Sequence, residues 1–190
     1  DFIEETVCDI LDVAENEMKE FIIANDKKIL LIKQEGKFYA IGDKCSHYNA
    51  PLIMGSLGEG RIRCPWHGAC FNLETGDIED FPGLDGIPCY QVRIENHDVK
   101  VRARKSLLRR DKIVKPMAQH DPRNGQIFCI IGGGASAQTC AETLRQNGFM
   151  GRIVMICKEP HLPYDRIKVS KQLNSKIEDV QLRSKKFYDD

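Results

Sequence analysis

The arrangement of apolar and polar positions divides the chain into a strand-rich first half and a shorter mixed second half. Residues 27–42, KKILLIKQEGKFYAIG, are an apolar run, a Glu35-Gly36 turn and a second apolar run, which predicts a β-hairpin. Tyr90, Val92 and Ile94 alternate with polar residues. NHD at 96–98 then turns the chain into Val-Lys-Val, a second hairpin pattern. ETGD at 74–77 and PGLDG at 82–86 predict further turns. One short helix is predicted, around Glu15–Phe21. Many short strands between frequent turns predict an all-β unit over residues 1–103, an antiparallel sandwich or partial barrel.

Residues 104–124 are basic, contain Pro116 and Pro122, run into Asn124-Gly125 and lack apolar periodicity. They are expected to form a linker. From residue 125 the pattern changes again. FCII predicts a buried-type strand, SAQTCAETLRQNG a helix with one apolar face, and RIVMIC a second strand. Between the first strand and the helix lies G-G-G-A-S-A, which fits G-x-G-x-x-A at Gly132, Gly134 and Ala137. The whole is a Rossmann-like βαβ unit with the dinucleotide fingerprint in its expected place. There the glycines let the backbone approach a pyrophosphate, and the helix N-terminus supplies partial positive charge. An acidic residue is expected after the second strand to bind ribose hydroxyls. Lys158 stands there and Glu159 follows, so Glu159 is the candidate.

Composition, 42% apolar and 29% charged over 190 residues, is that of a globular chain of one or two domains. No run of eighteen apolar residues is present, so no membrane span is expected. No leader is visible, and because the chain begins at Asp1 without Met it is expected to be trimmed, so that a targeting segment could have been lost. The zero net charge hides a division. Residues 1–103 hold 11 Lys+Arg against 19 Asp+Glu, a net −8, and residues 104–190 hold 17 against 9, a net +8. Opposite signs could help the two parts dock. The basic part has no nucleic-acid motif, so no nucleic-acid partner is expected.

Chemistry concentrates in two stretches. CSHYNAP at 45–51 gives C-x-H, and CPWHGACF at 64–71 gives C-x-x-H, with sixteen residues between His47 and Cys64. Four Cys/His donors beside turn-forming residues point to metal. Zinc sites use such donors but usually separate each pair by two or more residues. A single intervening residue between Cys45 and His47 suits two neighbouring metal atoms better, as in a binuclear cluster with two cysteines on one iron and two histidines on the other. The remaining cysteines, Cys8, Cys70, Cys89, Cys129, Cys140 and Cys157, are scattered, several in apolar runs. They are expected to be free thiols in an intracellular, reducing compartment, mitochondrial or cytoplasmic.

This pattern closely resembles the Rieske [2Fe–2S] family over about the first hundred residues. The resemblance implies a [2Fe–2S] cluster with Cys45 and Cys64 on one iron, and His47 and His67 on the other. HLPYDRIKVSK at 161–171 resembles the P-Y-x-R-P-x-L-S-K segment of flavoprotein disulfide reductases. In those proteins the Arg and final Lys contact FAD, which implies Arg166 and Lys171 here. Ile167 replaces the usual Pro, and Val169 the usual Leu. A Rieske domain followed by such a segment resembles the apoptosis-inducing-factor-like flavoproteins, third mitochondria-associated type. That resemblance implies NAD(P)H delivering electrons to FAD, then to the Rieske cluster or another acceptor. The flavin domain of the same protein is the expected partner, and the downstream acceptor is undefined. Such a flavin fold needs further strands, a later Gly-Asp contact, a nicotinamide domain and a C-terminal domain. Residues 125–190 are therefore expected to be a partial FAD-binding segment, and the 190-residue chain alone is expected to be an electron carrier, a fragment or truncated product, and no complete oxidoreductase.

Respiratory Rieske proteins carry a disulfide between the ligand loops and hydroxyl donors to the cluster. The resemblance maps those cysteines onto Ala50 and Trp66, the Ser onto Ala69 and the Tyr onto Phe71. Without the donors the added electron is less stabilised, which predicts the low end of the roughly −150 to +300 mV Rieske range. Trp66, Pro51 and Leu52 are expected to shield the cluster while the histidine edge stays open; a Trp66 buried in the core is the alternative. A second functional reading is a non-catalytic interaction domain in cell-death signalling, stabilised by zinc or a structural cluster.

Overall fold

The computed structural model describes residues 1–189, and the chain divides into two compact units, the first spanning Asp1–Lys115 and the second beginning at Pro116. In the first unit, ten strands form two antiparallel sheets. Six of them are β1 (Phe2–Asp9), β2 (Met18–Ile23), β3 (Lys27–Gln34), β4 (Lys37–Gly42), β9 (Cys89–Glu95) and β10 (Asp98–Arg104). They run in the order β1-β10-β9-β4-β3-β2, and the two outer strands approach each other, curling the sheet into a half-barrel. The other four are three-residue strands: β5 (Ser56–Gly58), β6 (Arg61–Arg63), β7 (Cys70–Asn72) and β8 (Ile78–Asp80), in sequential order.

Both expected hairpins form. Gln34 pairs with Lys37 across Glu35 and Gly36, whose φ angles are 53° and 71°. Asp98 pairs with Glu95 across Asn96 and His97, at 51° and 74°. Two successive left-handed residues give the turn whose twist matches that of the flanking strands.

The continuous run Ile29–Ile32 follows from the position of β3, which is covered on both faces. Ile29 and Leu31 join Val13, Ala40, Tyr90, Val99 and Val101 inside the curled sheet. Leu30 and Ile32 join Ile41, Leu52, Ile62, Phe71 and Ile87 between the two sheets. All four are fully buried, worth at most about 6–12 kcal/mol at roughly 1.5–3 kcal/mol each. That is comparable to the net stability of a whole domain.

The expected helix at Glu15–Phe21 is not present. Residues 14–17 form a turn, with Asn16 left-handed at φ 61°, and Met18 begins β2, paired to Ile32. The segment has adequate helix formers, but pairing with β3 and burial of Ile23 override that local preference. The basic stretch 104–124 is shared between the two units. Lys105–Leu108 form a short helix, α1, and Gly86 and Ile113 exchange two backbone hydrogen bonds, of 2.9 and 3.0 Å. Lys27 pairs with Asp111 at 3.0 Å and Lys115 with Asp77 at 3.6 Å. With the boundary after Lys115, the first unit holds 17 Lys+Arg against 20 Asp+Glu and the rest 11 against 8, net −3 and +3. The charge contrast between units is therefore much smaller than a division at residue 103 implies.

The second unit contains the βαβ element: β11 (Ile127–Ile131), α2 (Ala135–Gln146) and β12 (Arg152–Ile156), with β11 and β12 parallel. Three short helices follow: α3 (Arg166–Lys171), α4 (Ile177–Val180) and α5 (Lys185–Asp189). The FCII strand is less buried than its composition suggests. Ile130 is buried, but Ile127, Phe128 and Ile131 are exposed. Parallel strands are ordinarily covered on both faces, and two strands with one main helix leave much of this pair uncovered. Among the described residues no helix is long and apolar enough to cross a membrane.

Candidate metal centre

Two loops of the same construction present the four predicted donors at one end of the inter-sheet core. In the first, the Cys45 N–H donates to the Ala50 carbonyl at 2.9 Å, and the Asn49 N–H donates back to the Cys45 carbonyl at 2.9 Å. In the second, the Cys64 N–H donates to Ala69 at 2.8 Å, and the Gly68 N–H donates to Cys64 at 3.2 Å. The fifth residue of each is left-handed, Asn49 at φ 57° and Gly68 at φ 75°. Asn and Gly tolerate that conformation best, which accounts for their use here. The sixth is a fully buried alanine, so both cysteines are drawn into the core.

The donors assemble as two pairs. Cys45 and Cys64 are buried in the same core cluster, close enough to interact electrostatically. Burial pushes the Cys45 thiol up to about 11, and the Cys64 sulfur adds to this, while backbone N–H groups of His47 and Tyr48 work against it. Two adjacent thiols facing backbone donors in a dry site suit sulfur ligands whose charge a cation neutralises. The histidines lie nearer solvent, with ring centroids 5.0 Å apart and planes at 78°. Tyr48 lies beside both, at 4.2 Å from His47 and 5.6 Å from His67. Among the described residues no three His, Cys, Asp or Glu groups gather about one point. A buried sulfur pair and an outer imidazole pair fit the two-iron donor pattern.

Trp66 is 56% exposed, edge-on to His67 at 6.4 Å, so the buried-tryptophan alternative does not hold. Leu52 lies in the core with both cysteines, and Pro51 is half-buried. Ala69 and Phe71 are fully buried in the same cluster. All eight cysteines are free thiols.

Sequence reading missed a third loop, Phe81–Gly86, and one side chain. Ser46 Oγ donates to the Asp85 carbonyl at 2.6 Å within the interior, and a Cβ at Gly83 would stand 3.6 Å from His47 Cβ. Arg63 donates to the Gly68 carbonyl at 2.8 Å and pairs with Asp80 at 2.6 Å. The glycines of PGLDG carried only a turn signal, and Arg63 only the appearance of a surface charge.

The Rieske [2Fe-2S] domain family matches residues 4–91. The 3-phenylpropionate/cinnamic acid dioxygenase ferredoxin subunit of Escherichia coli (strain K12) is 38% identical over 93 residues, 48% of this chain and 86% of that protein. The chain belongs to the Rieske [2Fe–2S] family. Its Rieske domain is an electron-transfer domain, and its cofactor is a [2Fe–2S] cluster. Apoptosis-inducing factor 3 of Mus musculus is 48% identical over 195 residues, covering 99% of this chain and 32% of that protein. The Homo sapiens protein of that name is likewise 48% identical, and the chain spans about a third of the length of both. Among solved structures, Sphingomonas yanoikuyae B1 ferredoxin superposes with a TM-score of 0.50 at 25% identity, over 54% of this chain and all of that one.

In the second unit the fingerprint residues come together. Gly132, at φ 136°, donates its N–H to Ile156 at 2.9 Å, and a Cβ on it would lie 3.9 Å from buried Ala137. Gly134 caps α2 with open space at its Cα. Gly133, which the motif leaves free, is the tightest position: a Cβ there would lie 2.7 Å from Cys157 Sγ. Glu159 and Arg166 meet in an exposed ion pair at 3.2 Å, with the Arg166 guanidinium 5.3 Å from the Tyr164 ring centroid. Asp165 caps α3, while Lys171 is exposed at its far end.

Proposed function

We propose that the chain is a low-potential Rieske electron carrier in which Cys45 and Cys64 hold one iron and His47 and His67 the other, natively coupled to a flavin-dependent NAD(P)H oxidoreductase. The pairing of two buried thiols with two outward imidazoles is the observation that carries the ligand assignment. When bound, the cluster supplies a one-electron couple. The chain's own residues exclude water from the sulfur side through Leu52, Ala50, Ala69 and Phe71, and leave the histidine side open to a partner. Low potential is supported by the apolar character of Ala69 and Phe71, which offer no hydroxyl to a reduced cluster.

The second unit supports the flavin coupling. Gly132, Gly134 and Ala137 shape the turn expected to receive FAD pyrophosphate, with Glu159, Arg166 and Lys171 as further contacts. Similarity to apoptosis-inducing factor 3 over nearly the whole chain supports a flavin domain of the same protein as electron donor. Eight free thiols support a reducing compartment, mitochondrial or cytoplasmic.

A redox titration followed by visible absorbance tests this reading. The expected protein is red-brown, bleaches on one-electron reduction and titrates in the lower part of the Rieske range. A colourless protein containing zinc would replace it with the interaction-domain reading.

A further inference from the structure

A side chain outside the donor set ties the His67 loop to the strand that leads into the segment packed against His47. Arg63 closes β6 immediately before Cys64. Its Nη1 donates to the Gly68 carbonyl at 2.8 Å, one residue past His67. Its Nη2 donates to Asp80 Oδ2 at 2.6 Å, at the end of β8. The strand register sets this reach: Arg63 pairs with Cys70, and Cys70 with Asp80, so the guanidinium spans the intervening strand. Asp80 leads directly into the Phe81–Gly86 loop, which lies against His47 at Gly83 and binds Ser46 Oγ through the Asp85 carbonyl.

We propose that Arg63 is a positioning residue of the metal centre: one guanidinium fixes the peptide beyond His67 and, through Asp80, the loop against His47, and so sets the relative placement of the two imidazoles. The proposal rests on the reading that Cys45, His47, Cys64 and His67 hold the cluster. Arginine suits the task because its planar fork directs separate N–H groups at two acceptors along fixed vectors, whereas a lysine ammonium carries the charge without the fork. Both partners are exposed, with side-chain exposures of 50% and 57%. Exposed ion pairs contribute little to global stability, so the effect is local to the loops.

The test uses the full chain with Arg63→Gln and Arg63→Lys. Three properties are measured: the rate of cluster loss to a chelator, the reduction potential, and the EPR spectrum of the reduced protein. Arg63→Gln is expected to lose the cluster about threefold faster or more, the scale of an exposed ion pair, with a lowered potential and an altered EPR spectrum. Arg63→Lys is expected to restore the potential while its loss rate and EPR spectrum follow the Gln variant. A Lys variant like the wild type in all three properties overturns positioning and leaves a charge effect. Two variants both like the wild type reduce Arg63 to a surface ion pair. If Arg63→Gln assembles no cluster, the Lys variant alone decides. A wild-type protein without a Rieske spectrum overturns the ligand reading together with this one.

Discussion

Removal of the Arg183 guanidinium is expected to destabilise the second unit severely. Glu142 on α2 has a side chain only 4% exposed, and Arg183 one 9% exposed. The guanidinium donates to both carboxylate oxygens, at 2.8 and 2.9 Å. Gln138, fully buried one turn earlier, donates to the same carboxylate at 2.6 Å and accepts from the Tyr188 hydroxyl at 2.7 Å. Arg183→Met leaves the Glu142 charge buried with its counter-ion gone, a change that costs about 3–5 kcal/mol. In a unit of this size each kcal/mol lowers the melting temperature by roughly 4–8 °C, so a loss of more than ten degrees is expected. Far-UV circular dichroism and limited proteolysis near α2 follow the second unit. Trp66, the sole tryptophan, lies in the first and reports on it separately. Glu142→Leu combined with Arg183→Met removes both charges and is expected to recover much of the loss, since apolar replacement of a whole buried pair is often neutral or stabilising. If Arg183→Met melts within a degree or two of the wild type, the pair does not hold the C-terminal segment onto α2.

Three further outcomes are expected. Ala69→Ser and Phe71→Tyr each raise the reduction potential by tens of millivolts, and the double change raises it further; charge-assisted bonds of about 1.5–3 kcal/mol are partly present in both redox states, and 59 mV is about one decade. Voltammetry showing unchanged potentials with intact spectra would mean the hydroxyls miss the sulfurs. Cys64→Ser abolishes the visible spectrum while Cys70→Ser retains it, and iron loss from the Cys70 variant would break the ligand set. The chain is expected to bind FAD weakly or not at all because β11 and β12 have no further sheet neighbours among the described residues, so tight stoichiometric binding by calorimetry would contradict the incomplete-cavity argument.

The hairpins and the βαβ unit were legible because each carries its instruction locally. Glu35-Gly36 and Asn96-His97 supply the left-handed turns, and the glycine triplet joins a strand to a helix. The C-x-H and C-x-x-H pairs were legible from their spacing as candidate donors. What the sequence obscured depends on distant partners. Residues 18–23 are a strand only because β3 lies beside them. The β5–β8 sheet consists of three-residue strands, too short to show a period of two. The Phe81–Gly86 loop is placed by a bond from Ser46, 39 positions from Asp85, and Arg63 by bonds to Gly68 and Asp80, 5 and 17 positions away. Gly133 matters because of Cys157, which follows the intervening helix and strand.

The pairing of two imidazoles with two thiols is tested most directly by pulsed EPR on the reduced protein with ¹⁵N-labelled histidine. Two histidine nitrogens coupled to the paramagnetic centre are expected, with the coupling disturbed by substitution at His47 or His67 and unaffected at His97, His120 or His161. A reduced centre with no histidine coupling would contradict the assignment.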